Sequence, residues 1–361
     1  MAQAAHFFLS ANSGDGHQSL REQVTGNRTL YDLMILKGGP GGGKSTFLRQ
    51  VGEAMEAADT PVEYLHCAGD PDSLDGVLLP ELDCALLDGT APHPAEPPYP
   101  PAVGRWVDLG RFLDLTAAKA AREEVIRLTG RGDAACIRAF HALKAARQVE
   151  LDGRAAACRA VDWRRLNRRV EGVIARELRK PGGEPGNAQL RFLGTITHRG
   201  YVWRTDTVMA LCPRLYELED SFGLAAPVLR RLAEAAAERG WDAILCLCPE
   251  DPSQPEHLLI PGLGLAFVTS RPELRWDGKP YRRLRLDAMA RPENKARLRF
   301  ETRMAHLLRQ EAVEALGEAK AAHDELEALC NPYVDFDGVR ALAAVESARL
   351  LSWLQRRRET A

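Results

Sequence analysis

The 361-residue sequence has no stretch approaching the roughly 20 consecutive apolar residues that a membrane-spanning helix requires. Residues 1–10 lack the charged-then-apolar order of a secretory signal peptide. A formal net charge of -2 gives no global attraction to nucleic acid or a membrane, so any basic binding site has to be local. We therefore expect a cytoplasmic globular protein without a membrane partner, and its length favours two domains.

The sequence also lacks a CxxC pair and any cysteine–histidine spacing typical of zinc sites, although it contains eight cysteines. Cys246 and Cys248 are separated by one residue, a spacing that places both side chains on one face of a strand. Reduced cysteine packs there as a small hydrophobe. We predict core packing for this pair and assign no cysteine a function.

Glycine is concentrated in one loop, residues 38–45, which read GGPGGGKS and match G-x-x-x-x-G-K-[ST]. An apolar strand is predicted before the loop at residues 32–36, and an amphipathic helix after it at residues 46–58. Glycines let backbone N–H groups approach phosphate oxygens closely, and Lys44 would neutralise the β- and γ-phosphates. We predict that ATP with Mg²⁺ binds here, held by Gly38, Gly39, Pro40, Gly41, Gly42, Gly43, Lys44, Ser45 and Thr46.

A Mg²⁺ site requires hard oxygen ligands, and two residues of the sequence fit. The Ser45 hydroxyl lies at the start of the predicted helix. Residues 84–88, CALLD, form an apolar strand that ends in Asp88, the pattern of a Walker B element. We predict Ser45 and Asp88 as the metal ligands, with Asp70 and Asp75 as weaker candidates.

The residues that activate water are less well defined by the sequence. Thr90 and His93 follow Asp88 in a proline-rich loop and are candidates for orienting water. An equally strong alternative is that they only shape this loop. Glu81 is a possible base. The candidate catalytic residues are therefore Lys44, Glu81, Asp88, Thr90 and His93.

The second half of the chain repeats the first at a constant shift of 181 residues, with 11 identities and no gap across residues 48–85. The shift replaces the residues that carry the predicted chemistry, placing Gly38, Gly43, Lys44, Ser45 and Asp88 on Glu219, Leu224, Ala225, Ala226 and Thr269. Without the lysine and the hydroxyl, we expect the second half not to bind nucleotide in the same manner. Asp70-Pro recurs as Asp251-Pro, which indicates a turn in both halves.

The alternation of strands and helices predicts an α/β fold: a P-loop NTPase-type parallel sheet, internally duplicated, with each half followed by a helical hairpin. The predicted units are a P-loop core at residues 1–116, a helical arm at 117–180, a linker at 181–189, a degenerate second core at 190–290 and a second helical arm at 291–361.

Several segments together resemble a known family. These are the phosphate loop, His66-Cys67, residues 70–75 (DPDSLD), residues 80–82 (PEL) and residues 88–93 (DGTAPH). They are similar to an uncharacterised bacterial family of duplicated, nucleotide-kinase-like P-loop ATPases, and the resemblance covers nearly the whole chain. It implies a duplicated fold and ATP binding but no particular cellular role. Members of that family usually keep a phosphate loop in both halves, so the degenerate second copy is a departure.

Four functions are compatible with these patterns. The first is a Mg²⁺-dependent ATPase whose nucleotide state repositions the helical arms to act on a protein or small-molecule partner. The second is a small-molecule or nucleotide kinase. The third is a nucleic-acid-binding ATPase, because residues 154–180 carry a net charge of +6 and residues 282–303 and 356–358 add further positive charge. The alternative for this charge is a solvated helix face. The fourth is a scaffold that binds ATP without turnover.

Overall fold

The computed structural model describes residues 4–91, 94–179, 184–291 and 294–360. The first half contains the following elements: β1 (Ala5–Phe8), β2 (Ser10–Ser13), β3 (Gly16–Ser19), α1 (Glu22–Thr25), β4 (Asp32–Lys37), α2 (Lys44–Ala57), β5 (Glu63–His66), β6 (Leu74–Leu79), β7 (Cys84–Asp88) and β8 (Gly104–Asp108). Its first arm contains α3 (Leu115–Ala118), α4 (Arg122–Arg159) and α5 (Trp163–Glu177).

The second half begins with β9 (Ala188–Arg191), so the last two residues of the predicted linker belong to a strand, while residues 181–183 lie outside the described residues. It continues with β10 (Gly194–Thr197), β11 (Gly200–Trp203), α6 (Thr205–Leu211), β12 (Arg214–Glu219), α7 (Ala225–Glu238), β13 (Ala243–Leu247), β14 (Pro255–Ile260), β15 (Leu265–Ser270) and β16 (Arg282–Arg285). The second arm contains α8 (Lys295–Cys330) and α9 (Phe336–Thr360).

The strand and helix that flank the glycine-rich loop form as the sequence predicts. Strand β4 is apolar throughout its centre because both of its faces are buried. Leu33 and Ile35 pack toward the second half, whereas Met34 and Leu36 pack toward α2. Helix α2 is amphipathic and buries its apolar face against the first sheet.

Within the described residues, each half forms a six-stranded sheet, in the order β1-β5-β6-β7-β4-β8 and β9-β13-β14-β15-β12-β16. The two orders correspond strand for strand, so the chain consists of two similar sheet-and-helix halves. Strands β4 and β7 are parallel, as predicted, and β8, which was not predicted, also runs parallel to β4. The prediction of a wholly parallel sheet is wrong, because β6 runs antiparallel to β5 and β7.

The reversal at β6 has a local cause that the sequence analysis missed. A single 3-10 turn, Pro80–Leu82, joins β6 to β7 and is too short for the crossover that parallel neighbours need. Asp83 closes the turn in the left-handed conformation, with φ 50°. In the second half, Pro261–Leu263 and Gly264 form the same turn, with φ 58° at the glycine.

The two sheets pack face to face and share one apolar layer. Ile35 and Leu87 of the first half lie in the same buried cluster as Leu215 and Val268 of the second. The outer face of the first sheet is covered by α2, and that of the second by α7. The halves are thus joined through a common core.

The helical arms differ from the predicted hairpins. Helix α4 lies antiparallel along α8, linked by ion pairs such as Arg131 with Glu325 near one end and Arg309 with Glu150 near the other. Helix α5 packs on α7 of the second half, and α9 packs on α2 of the first half. Each arm therefore crosses over to cover the core helix of the opposite half.

In the part of the chain that the structure describes, no helix has the length and apolarity that crossing a membrane would take.

Candidate nucleotide site

The glycine-rich loop connects the end of β4 to the start of α2, at the carboxyl edge of the parallel strands. Gly41 and Gly43 have φ values of 66° and 78°, conformations that are strained for other residues. The Lys44 Nζ lies over the loop, where it donates to the carbonyl oxygens of Gly38 at 3.0 Å and Gly39 at 2.8 Å. The lysine is thereby held directly above the backbone that would surround a phosphate.

The N-terminus of α2 is suited to an anion. No side chain caps this helix at Gly43. Among the described residues, the N–H groups of Gly43, Lys44 and Ser45 have no protein hydrogen-bond acceptor. Unpaired N–H groups and the positive end of the helix dipole together favour a phosphate or a carboxylate here.

Asp88 stands beside the loop because β7 pairs directly with β4. Leu36, two residues before the loop, is the register partner of Asp88. The Asp88 Oδ2 lies 3.8 Å from the Lys44 Nζ. The Ser45 Oγ accepts a hydrogen bond of 2.9 Å from the N–H of Leu74 on the far side of β7, which fixes the hydroxyl near the same edge. Lys44, Ser45 and Asp88 are thus brought together.

A second carboxylate lies next to Asp88. Because β6 is antiparallel to β7 and Gly76 pairs with Leu87, the preceding residue Asp75 falls beside Asp88. Burial raises the pKa of the Asp75 carboxyl, and the neighbouring Asp88 adds to this effect, while Arg21 opposes it. Asp75, which the sequence indicated only as a weaker metal candidate, therefore lies beside the predicted metal ligand Asp88.

Arg21 is a residue of this site that the sequence analysis did not identify. Its Nη1 donates to the carbonyl oxygen of Asp88, and its Nη2 lies 3.4 Å from the Asp75 Oδ2. The side chain is buried, and its Nε has no hydrogen-bond partner in the described ranges. Arg21 lies 17 residues before the phosphate loop in an unremarkable polar segment, so no sequence motif marks it.

The other catalytic candidates are placed differently. Thr90 lies with Asp88, since its Oγ1 donates to the Asp88 Oδ1 at 2.6 Å. His93 lies outside the described residues. Glu81 precedes β7 and so lies at the opposite end of this strand, where it accepts from Thr60 at 2.6 Å and pairs with Arg358 at 2.7 Å. The structure does not bring Glu81 together with Lys44 and Asp88.

Asp70 and Asp251 close corresponding turns, as the sequence predicts. The carbonyl oxygen of each accepts an N–H three residues later, from Ser73 or Gln254, at 2.9 Å in both halves. Asp251 also pairs with a basic residue of α4, Arg147, at 2.7 Å. These two aspartates therefore have a structural role in their turns.

The corresponding loop of the second half is filled by a side chain of its own. Asp220, one residue after the Glu219 that the shift aligns with Gly38, accepts from the N–H of Phe222 at 3.0 Å, Leu224 at 2.9 Å and Ala225 at 2.7 Å. Ala225 corresponds to Lys44, so an internal carboxylate occupies the place where a phosphate would bind. Glu219 itself pairs with Arg283 at 3.1 Å.

The corner between α8 and α9 contacts the glycine-rich loop from outside. A Cβ atom added to Gly41 would lie 2.5 Å from the Asn331 side chain and 3.2 Å from the carbonyl oxygen of Glu327. One added to Gly43 would lie 3.1 Å from Val339. With its amide oriented to satisfy its partners, Asn331 donates to the carbonyl oxygen of Gly41 at 3.2 Å. The second arm thus touches the loop of the first half.

Comparison of the chain with protein-family models, with curated proteins and with solved structures gave no match. The similarity to duplicated P-loop ATPases therefore stays a prediction from the sequence.

The described residues contain no preformed set of metal ligands. No group of three or more histidine, cysteine, aspartate or glutamate side chains could hold a metal ion there. The eight cysteines are free, and Cys246 packs in the core between the sheets. A cation at the loop would thus require ligands beyond the protein, such as water and phosphate oxygens.

Proposed function

We propose that this protein binds ATP with Mg²⁺ in the loop of residues 38–45 and hydrolyses it. The observation that supports this most strongly is the position of Lys44, above a glycine loop with free N–H groups and 3.8 Å from the carboxylate of Asp88 on the neighbouring strand. This combination brings positive charge, unpaired backbone amides and a carboxylate to one point, which supports binding of a nucleotide with Mg²⁺.

The residues present fit both groups. The N–H groups of Gly43, Lys44 and Ser45 would hold phosphate oxygens, and the Ser45 hydroxyl and Asp88 carboxylate are hard oxygen ligands of the kind Mg²⁺ prefers. Bound Mg²⁺ neutralises charge on the transferring phosphoryl group. Thr90 is fixed to Asp88 by its hydroxyl and is the described residue best placed to orient water.

We also infer an internal duplication in which the second site has been lost. Matching sheet orders, matching Pro-initiated turns and the constant shift in sequence support this. Asp220 supplies the negative charge of the missing phosphate and stabilises the loop permanently. The chain would accordingly bind one equivalent of ATP.

The nucleotide state would be transmitted through the second arm. Asn331 and Val339 belong to the α8–α9 region and lie against Gly41 and Gly43, the two loop glycines of positive φ. A change in the loop backbone would therefore displace residues of the second arm. Helix α8 then extends over 36 residues, about 54 Å, along α4. Coupling of this kind is typical of phosphate-loop switches.

One observation favours the alternative of a small-molecule or nucleotide kinase. Strands β4 and β7 pair directly, with no strand between them, an arrangement that resembles the kinase-like branch of phosphate-loop folds. An acceptor would then take the place of water near Thr90 and Asp75.

The deciding experiment incubates the protein with Mg·ATP, with and without a pool of nucleosides and nucleotides, and measures ADP, free phosphate and phosphorylated products together. Lys44→Ala should abolish turnover, and the exposed Lys119→Ala is the matched control. Equal release of ADP and phosphate supports the ATPase. ADP without phosphate, and an acceptor that gains mass, supports the kinase. Unchanged turnover in Lys44→Ala would refute both.

A further inference from the structure

The outer surface of α5 carries a concentrated positive charge. Leu166, Val170 and Ile174 form the buried face of this helix, in the core of the second half. Arg164, Arg165, Arg168 and Arg169 follow the spacing i, i+1, i+4 and i+5, which places them together on the opposite, exposed face. We call these four residues the α5 basic face.

Among the described residues, no acidic side chain neutralises this charge. In residues 4–91, 94–179, 184–291 and 294–360, none of the four side chains forms an ion pair. The nearest acidic residues along the helix are engaged elsewhere: Asp162 accepts from the N–H of Arg165 as the N-cap, and Glu171 pairs with Arg231 at 2.9 Å.

The corresponding helix of the other arm provides an internal comparison. Helix α9 occupies the equivalent position on the first half, and three of its arginines pair with acids of that half. Arg349 contacts Asp32 at 2.8 Å, and Arg357 contacts Asp83 at 2.6 Å. Two helices of similar packing thus differ: α9 uses these arginines for docking, whereas the α5 basic face forms no ion pair with the described residues.

Further arginines extend the positive surface at the start of α5. The N–H of Arg291 donates to the carbonyl oxygen of Ala160 at 3.1 Å, which places residue 291 beside the α4–α5 corner. Arg159 and Arg291 are both exposed, and neither forms an ion pair within the described residues. Trp163, 40% exposed, adds an aromatic ring at the same corner.

We propose that the α5 basic face and this corner bind the phosphate backbone of a nucleic acid. Arginine recognises phosphate through its planar set of donors, and an exposed aromatic ring can stack on an unpaired base. Membrane insertion does not fit, because the apolar face of α5 is buried in the protein core. This binding surface lies on the half that has lost the phosphate loop, and it does not depend on the proposed ATP site.

The test measures binding of fluorescein-labelled single-stranded RNA, single-stranded DNA and duplex DNA by anisotropy, without nucleotide, from about 50 to about 200 mM salt. The variant R164Q/R165Q/R168Q/R169Q should bind at least about 10-fold more weakly than the wild type at low salt. Its slope of log K against log salt should fall by about 3, since each phosphate contact contributes about 0.7 to 0.9.

The control variant R340Q/R356Q/R357Q/R358Q removes the same charge from α9 and should retain binding within about threefold. Circular dichroism and thermal melting establish that both variants are folded. Equal losses in the two variants, absence of binding by the wild type at low salt, or competition by polyglutamate as effective as by unlabelled RNA would each overturn the proposal. The last outcome would identify an acidic protein as the partner.

Discussion

The carboxylate of Asp220 accepts a hydrogen bond of 2.7 Å from the backbone N–H of Ala225, the residue that corresponds to Lys44 in the other half. The same loop position therefore binds an internal anion in one half, whereas in the other half its N–H groups have no acceptor among the described residues. This difference lets the anion-binding capacity of the fold be tested separately from any nucleotide.

Replacing Asp220 with alanine should destabilise the protein by about 1 to 3 kcal/mol, because two buried N–H groups and one half-buried N–H group lose their acceptor. Chemical denaturation of wild type and variant measures this difference in the free energy of unfolding. Asp162→Ala is the matched control, since Asp162 caps α5 through one N–H and should cost less. Equal losses in the two variants would contradict the role assigned to Asp220.

Asp88→Asn should lower the rate of ATP hydrolysis by about 100-fold or more, because a neutral amide is a poor ligand for Mg²⁺. Binding of ATP in the absence of Mg²⁺ should change little, since the glycine loop and Lys44 are retained. Calorimetry with and without Mg²⁺ separates these effects. Asp108→Asn serves as the control: Asp108 ends β8, the strand on the other side of β4, and its carboxylate accepts from the N–H of Gly110. A similar loss in both variants would argue against a metal ligand at Asp88.

Much of the candidate site was predictable because its signals are local. The GGPGGGKS loop, the strand before it and the helix after it are contiguous in sequence, and all three form as expected. That Asp220 fills the loop of the second half was not predicted, because the constant shift of 181 residues aligns positions and not side-chain directions, and it placed Glu219 opposite Gly38. Arg21 was missed because its proximity to Asp88 arises only when distant segments meet.

The arrangement of the arms was not predictable for a related physical reason. The sequence located the two helical arms, at residues 117–180 and 291–361, but a helix of small apolar residues can pack equally well on several partners. Alanines on both long helices, such as Ala139 and Ala312, allow α4 and α8 to approach closely along their length. This packing between distant segments makes α4 of the first arm pair with α8 of the second, in place of a hairpin within each arm.

Glu327→Gln should strengthen ATP binding by about 3- to 10-fold, or about 0.7 to 1.4 kcal/mol. The His323 side chain and the Gly41 N–H both hold the pKa of the Glu327 carboxyl below its usual value, so a negative charge stands beside the phosphate loop. Removing this charge relieves repulsion toward a triphosphate. The control is Glu325→Gln, on the same helix, whose carboxylate pairs with Arg131 of α4. Calorimetric titration that gave the same affinity for both variants would disprove the effect.

The stability of the protein should depend on pH through His66. Burial, with the neighbouring Arg204 guanidinium and His6, lowers the pKa of His66 to about 3 from its ordinary 6.5. Between these values the unfolded chain binds the proton and the folded chain does not, so the free energy of unfolding falls as pH decreases from 6.5 toward 3. The contribution of His66 is fully present above pH 6.5. Burial likewise lowers the pKa of His257 to about 4, so part of the slope should survive the loss of His66.

Replacing His66 with glutamine should therefore reduce the pH dependence of unfolding by up to about 1.4 kcal/mol per pH unit below pH 6.5, since one proton is removed from the linkage. Glutamine retains a side-chain N–H that can donate to the carbonyl oxygen of Pro71, which His66 contacts at 2.8 Å. Urea denaturation at several pH values measures the slope, with the exposed His141→Gln as control. Parallel pH profiles for wild type and His66→Gln would show that His66 is not the titrating group, and the remaining slope would then be assigned to His257 and the acidic residues.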